Sequence, residues 1–246
     1  MAILILFDLD GTLLKTLGTG IRAIGMAGRE LVGDHFNEHA VDYAGRLDPN
    51  IIVELLQIHD VDASEESVQR FRDGYCMSLE LALQEGGPSE ACPGVFELLD
   101  RLEMFEEVTL GLVTGNYPET GTLKLAAAGI DVDRFPIRGW ASESPNTPPV
   151  REDLPAFAMK RFTEVSGFPI QGNQVIVIGD TPADIRCARA NGCRALAVAT
   201  GPITRQVLES HDPDLVVDDL SKTEELLKWM LEEDRSASFM SCDDAD

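Results

Sequence analysis

The run Ile3-Leu4-Ile5-Leu6-Phe7 constrains the fold more than any other stretch, because it reads as a buried strand with no strand near it in sequence. From Leu17 to about Gln84 the pattern is helical throughout. It includes Ile51-Ile52-Val53-Glu54-Leu55-Leu56 and a long stretch from Ser64 to Leu83, where Val68, Phe71, Tyr75 and Leu79 recur three or four apart. Glu85-Gly86-Gly87-Pro88 breaks that pattern. After Pro93 strands and helices alternate. Strands are predicted at Val108–Thr114, Ile137–Ala141, Gln174–Asp180, Arg194–Ala199 and Leu215–Val217. Helices are predicted near Glu119–Ala128, Leu154–Val165, Ala183–Asn191, Thr204–Ser210 and Thr223–Leu231. Such alternation implies parallel strands with right-handed crossovers, hence an α/β doubly wound sheet. The first strand must join that sheet, which makes the helical block an insertion. The predicted division is a core of 1–15 and 93–232, an all-helical cap of 16–92, and an acidic, disordered tail of 233–246.

A strand that ends in a carboxylate sets it at the sheet edge where ligands bind in open α/β folds. Here Asp8 ends the run and Asp10 follows, with Gly11 free to turn the backbone sharply. Two acids this close repel and desolvate poorly, so keeping both calls for a divalent cation and phosphoryl chemistry. An Asp-Gly turn uses the same residue types. Three further sites fall at comparable positions. Thr114-Gly115-Asn116, before a helix starting near Pro118, can bind an anion on backbone N–H groups, although a helix cap would use the same residues. Asp180 ends another buried strand, where an unpaired carboxylate is costly. Thr181, Pro182 and Asp184 also spell a capping box, so Asp184 has a structural reading beside a site reading. Arg151 stands at the end of the Pro-rich loop 142–150, which reads as a loop at the ligand edge.

Composition excludes several partners. Lys and Arg total 20 against 43 Asp and Glu, a formal net charge of −23, so the basic footprint for nucleic acid or an anionic membrane is missing. Five scattered cysteines, with no Cys-x-x-Cys pair, argue against a disulfide framework or zinc site and for a reducing compartment. His35 and His39, four apart in a polar stretch, read as an exposed helix face. No run reaches membrane-spanning length, and the expectation is a cytoplasmic protein.

With these sites in place the chain resembles the haloacid dehalogenase-like superfamily, and within it the phosphoglycolate phosphatase-like hydrolases, from Ile3 to about Leu231. Asp8-Leu9-Asp10-Gly11-Thr12 and Gly179-Asp180-Thr181-Pro182-Ala183-Asp184 are similar to the first and fourth motifs, and Val113-Thr114-Gly115-Asn116 to the second. Gly45-Arg46-Leu47-Asp48 resembles a cap loop that faces the site. The third motif departs: no Gly-Lys-Pro occurs, and Arg151-Glu152-Asp153 takes its place, with Lys160 as the fallback. Arg supplies the same charge but is not interchangeable with Lys.

The resemblance implies a phosphatase acting on a small phosphorylated metabolite. Asp8 would be the nucleophile and Asp10 the general acid and base. Mg²⁺ would be held by Asp8, the Asp10 carbonyl and Asp180, with Asp184 acting through water or by orienting the loop. Thr114 and Arg151 would hold the phosphoryl group with backbone N–H groups of Leu9, Gly115 and Asn116, and Arg46 or Arg22 would contact the rest of the substrate. A sugar-phosphate phosphomutase would use the same aspartates. A non-catalytic regulator docking through the tail, with Phe239-Met240 embedded in charge, is a third reading.

Overall fold

The computed structural model describes residues 2–232, and the expectation for the acidic tail, 233–246, lies outside them. Strand β1 (Ile3–Phe7) leads to a two-residue strand, β2 (Leu14–Lys15), and then to helices α1 (Thr19–Val32), α2 (Asp48–Ile58) and α3 (Glu65–Gln84). A second two-residue strand, β3 (Glu90–Ala91), pairs antiparallel with β2, Leu14 opposite Ala91 and Lys15 opposite Glu90. The helical block therefore leaves and rejoins the rest of the chain through a short ribbon.

The remaining elements are α4 (Val95–Leu102), β4 (Val108–Thr114), α5 (Pro118–Ala127), β5 (Ile137–Trp140), α6 (Asp153–Ser166), β6 (Val175–Gly179), α7 (Pro182–Ala190), β7 (Arg194–Val198), α8 (Arg205–Glu209), β8 (Leu215–Val217) and α9 (Thr223–Glu232). The six-stranded sheet runs in the order β5-β4-β1-β6-β7-β8, with every pair parallel. Strand β1 lies between β4 and β6. Its residues are buried on both sides, so it reads as an unbroken apolar run rather than an alternating one. Ile3, Ile5 and Phe7 pack with Leu98 and Leu99 of α4, Leu125 of α5 and Leu226 of α9. Leu4 and Leu6 face the opposite layer, with Leu154 and Phe162 of α6 and Ile185 of α7. This period of two sends alternate side chains into the two cores.

The helical block has its own core, in which Ile24 and Ala27 of α1, Ile52 and Leu55 of α2, and Phe71 and Tyr75 of α3 meet Tyr117 from the sheet side. Helix α3 begins where Ser64 Oγ accepts the Ser67 N–H at 3.3 Å. His35 and His39 are not on a helix: they occupy the turn after α1 and a single 3-10 turn, where the Asn37 side chain accepts the His39 N–H. The polar run around Asn37 satisfies its own backbone locally, which ends the helix earlier than periodicity alone indicates. The four described cysteines are free thiols. No helix among the described residues is long and apolar enough to cross a membrane.

Candidate active site

The C-terminal ends of β1, β4 and β6 lie side by side, and each delivers a polar side chain to the same place. Asp8 follows β1, Thr114 ends β4, and Asp180 follows β6; all three are buried. Helix α7 adds Asp184, and the turn before α6 adds Arg151, both buried. Asp8, Asp180 and Asp184 each offer a carboxylate oxygen within 4.8 Å of the others.

Arg151 sits among them. Its Nη2 lies 2.9 Å from Asp8 Oδ1 and 2.5 Å from Asp184 Oδ1. Asp184 divides its two oxygens. Oδ1 pairs with Arg151, while Oδ2 accepts the Thr181 N–H at 3.0 Å and the Thr181 hydroxyl at 2.6 Å. The capping box and the charged cluster are thus one carboxylate in two roles. Lys160 is three-quarters exposed and faces Glu164, so the structure does not bring it to the cluster.

The electrostatics favour a cation. Burial pushes Asp8 up to about 7, against the pull of Arg151, and repulsion from Asp184 and Asp10 adds to the rise. Burial, then repulsion from Asp8 and Asp184, pushes Asp180 well above the ordinary carboxylate range. Asp180 Oδ1 is buried with no hydrogen-bond partner. A carboxylate in that condition costs free energy unless something positive meets it. The backbone around it is cut to fit: a β-carbon at Gly11 would stand 2.6 Å from Asp180 Cγ, and one at Gly201 2.5 Å. Gly11 also turns with φ +85°. All-oxygen donors of this kind suit a hard divalent ion such as Mg²⁺. The donor set fits Asp8 and Asp180 directly, with both Asp184 oxygens already engaged.

Asp10 points elsewhere. Its Oδ2 accepts from Lys124 Nζ at 2.7 Å and from Asn116 Nδ2 at 2.8 Å. Lys124 Nζ also donates to Asn116 Oδ1 at 2.6 Å, and Asn116 Nδ2 to Thr114 Oγ1 at 2.8 Å. Helix α5 takes Tyr117 as its N-cap with no side-chain hydrogen bond, so Thr114 and Asn116 do not serve as its cap. They belong to a network that runs from β4 to Asp10. Leu9 and Gly115 flank it in the β1 and β4 loops.

The helical block closes over this arrangement. The Asp48 N–H donates to the Gly115 carbonyl at 2.7 Å, and Asp48 Oδ2 accepts the Tyr117 N–H at 3.3 Å. A cavity of about 510 Å³ lies between the two layers, lined by Asp8, Asp10, Arg46, Asn116, Arg151 and Asp180 among others. Arg46 lines it but turns its guanidinium to Glu54 and to the Asp42 carbonyl. Arg22 does not reach it: the side chain is exposed on α1 and bonds Thr19 Oγ1 at 3.4 Å. At about 100° of rotation per residue, Arg22 is turned away from its neighbour Ile21 and from Ile24, which do line the cavity.

Sequence reasoning missed Lys124 and the Thr200-Gly201 loop, and it placed Asp48 only as part of a cap loop facing the site, without its contact to Tyr117. Lys124, flanked by Leu123 and Leu125, carries the signal of a lysine in an apolar helix segment eight residues after Asn116. Thr200 and Gly201 follow β7 at the same sheet edge, and the Thr200 hydroxyl donates to the Gly11 carbonyl.

The family model described as haloacid dehalogenase-like hydrolase matches residues 5–198. The phosphoglycolate phosphatase of Pseudomonas fluorescens is 27% identical over 235 residues, covering 89% of this chain and 77% of that protein. That of Aliivibrio fischeri is 28% identical over 229 residues, covering 88% and 92%. The crystal structure of β-phosphoglucomutase from Clostridium difficile superposes with a TM-score of 0.68 at 19% identity, covering 96% of this chain and 100% of that one.

Proposed function

Because the chain belongs to the haloacid dehalogenase-like hydrolases, we propose that it is a Mg²⁺-dependent phosphatase that hydrolyses a small phosphorylated metabolite through an aspartyl-phosphate on Asp8. The observation that carries this reading is the division of labour between the two loop acids. Asp8 lies in the Asp180–Asp184 cluster, while Asp10 is held two residues away by Lys124 and Asn116. Similarity over almost nine-tenths of this chain to two phosphoglycolate phosphatases supports the same reaction class.

Asp8, Asp180 and the Asp10 carbonyl would hold Mg²⁺, which neutralises phosphoryl charge when bound. The Asp8 carboxylate attacks phosphorus, and the bond to the alcohol oxygen breaks. Asp10 gives its proton to the departing oxygen, then takes one from the water that attacks phosphorus and frees Asp8. Thr114, Arg151 and the N–H groups of Leu9, Gly115 and Asn116 hold the phosphoryl oxygens. Most of the rate gain comes from this positioning and charge. Residues 16–92 act as the cap that excludes water during the first step, and the ribbon of β2 and β3 is its tether. The absence of a basic surface and the free thiols favour a cytoplasmic enzyme with a small-molecule substrate and no nucleic-acid or membrane partner.

The test is phosphate release from a panel of small esters, with Mg²⁺ and with EDTA, for the wild type and Asp8→Asn. Metal-dependent release that disappears in the variant is expected. A mutase would release little phosphate and require a bisphosphate activator. Silence across the panel in folded, Mg²⁺-binding protein points to the regulator.

A further inference from the structure

The cavity holds more space and less free charge than a two-carbon acid ester needs. At about 510 Å³ it falls in the range of pockets that enclose drug-sized ligands. One end is the polar cluster around Asp8. The opposite wall comes from the helical block, where Ile21 and Ile24 of α1, Ile51 of α2 and Tyr75 of α3 line it beside Tyr43, Arg46 and Asp48; Ile24, Ile51 and Tyr75 present only their inner edges, being almost wholly buried. Leu17 stands at the same cavity with its side chain largely exposed, on a backbone at φ +47°. A branched side chain is disfavoured in that left-handed region, and no burial explains leucine there.

A substrate carboxylate is recognised by a free guanidinium or ammonium. The lining cations are Arg151, Lys124, Arg46 and Lys15. Arg151 is engaged by Asp8 and Asp184, Lys124 by Asp10 and Asn116, and Arg46 by Glu54 and the Asp42 carbonyl. Arg22 lies outside the lining. Lys15 alone makes no ion pair among the described residues, and it stands on the ribbon rather than on the apolar helical wall. A second anionic group on the substrate would have to displace Glu54 from Arg46, or reach back to the ribbon.

We propose that the alcohol half of the substrate is an uncharged, largely apolar group of several carbons, seated against Ile21, Ile24, Ile51 and Tyr75. This assignment rests on the phosphatase reading for its chemistry, but its test reads binding apart from turnover.

Alkylphosphonates carry a P–C bond that the proposed reaction does not cleave. Calorimetric titration of the Mg²⁺-loaded wild type with propyl-, pentyl- and heptylphosphonate is compared with phosphonoacetate. Affinity is expected to rise about fourfold per added methylene until the wall is covered, from the area removed from water. Phosphonoacetate is expected to bind more weakly than propylphosphonate. Ile21→Lys, at a partly exposed position on the cavity wall, is expected to reverse that order and to flatten the series. A flat series, or phosphonoacetate as the tightest wild-type ligand, overturns the assignment. Release of phosphate from the matching alkyl phosphates is read in parallel. Graded binding with no release sustains the cavity assignment while removing the phosphatase reading. Release with ungraded binding does the reverse.

Discussion

Gly201→Ala tests the cation cradle without touching a carboxylate. A β-carbon there would stand 2.5 Å from Asp180 Cγ, and closer still to Oδ2, whereas ordinary contact begins at 3.4 Å. The carboxyl carbon must therefore retreat by about 0.9 Å, the difference between those distances, and its oxygen by more. A shift of that size is enough to spoil a ligand, since misplacement by about 1 Å can cost roughly 100-fold in rate. Disturbed support around a metal ligand costs about 10–100-fold in metal affinity. Each tenfold loss removes about 1.4 kcal/mol of metal-dependent stabilisation at saturating Mg²⁺. For a chain of this size that is about 3–6 °C less Mg²⁺-induced rise in Tm. In EDTA a loss of about 1–3 kcal/mol from the crowded carboxylate is expected, so the readout is the Mg²⁺-dependent part of the melt. The assay is a thermal melt of wild type and variant across a Mg²⁺ series, paired with phosphate release. A variant with wild-type Mg²⁺ dependence in both would refute the placement of the cation beside Asp180.

Arg151→Ala leaves Asp8 and Asp184 buried without their cation, and breaking such a pair typically costs about 3–5 kcal/mol. Its kcat/KM is expected to fall more than roughly tenfold, since a charge-assisted contact is worth about 1.5–3 kcal/mol. Unchanged kinetics in the folded variant would remove Arg151 from the phosphoryl site. Asp48→Asn addresses the contact between the helical block and the sheet. Burial pushes Asp48 up to about 6, against the pull of Lys124 and with repulsion from Asp10. Its folded pKa lies above the unfolded one, so the stabilising contribution of the protonated form is full below about pH 4 and is lost as pH rises through about 6. Asparagine keeps an acceptor for the Tyr117 N–H and never ionises. The variant should therefore exceed the wild type in stability by an amount that grows from pH 5 to pH 8, towards about 3 kcal/mol. Melts at the two pH values check this, and a gap that stays constant contradicts it.

The sheet was legible because its strands are short apolar runs that end in polar residues. Asp8, Thr114 and Asp180 could be placed at one edge from those endings alone. Arg151 was legible only through its order in the chain, since a lone arginine carries no mark of burial. Lys124 was not found, because its role arises from the crossing of α5 over the Asp10 loop, a juxtaposition of residues 114 apart in sequence. Arg22 illustrates the opposite limit: a helix offers a cation to whichever side its packing turns, and the α1 stripe of Ala23, Ile24 and Ala27 turned it outward. The choice between cap and site roles for Asp184 dissolved once each oxygen could be followed separately. The ribbon of β2 and β3 is too short for any periodic signal.

The position of β1 has a consequence for how the molecule is made. Ile3 pairs with Val108 and Leu4 with Val175, so β1 is synthesised well before either of the strands it pairs with. At about 5–20 residues per second, roughly 10–30 seconds pass between synthesis of Phe7 and of its β6 partner, Ile178. Throughout that interval a five-residue, proline-free, uncharged β-former waits in solution, the kind of segment that nucleates cross-strand association between nascent chains. Asp8 and Asp10 place two carboxylates directly after this run, the kind of charge that opposes pairing with an approaching copy. Variants that neutralise both acids would thus tax expression as well as chemistry.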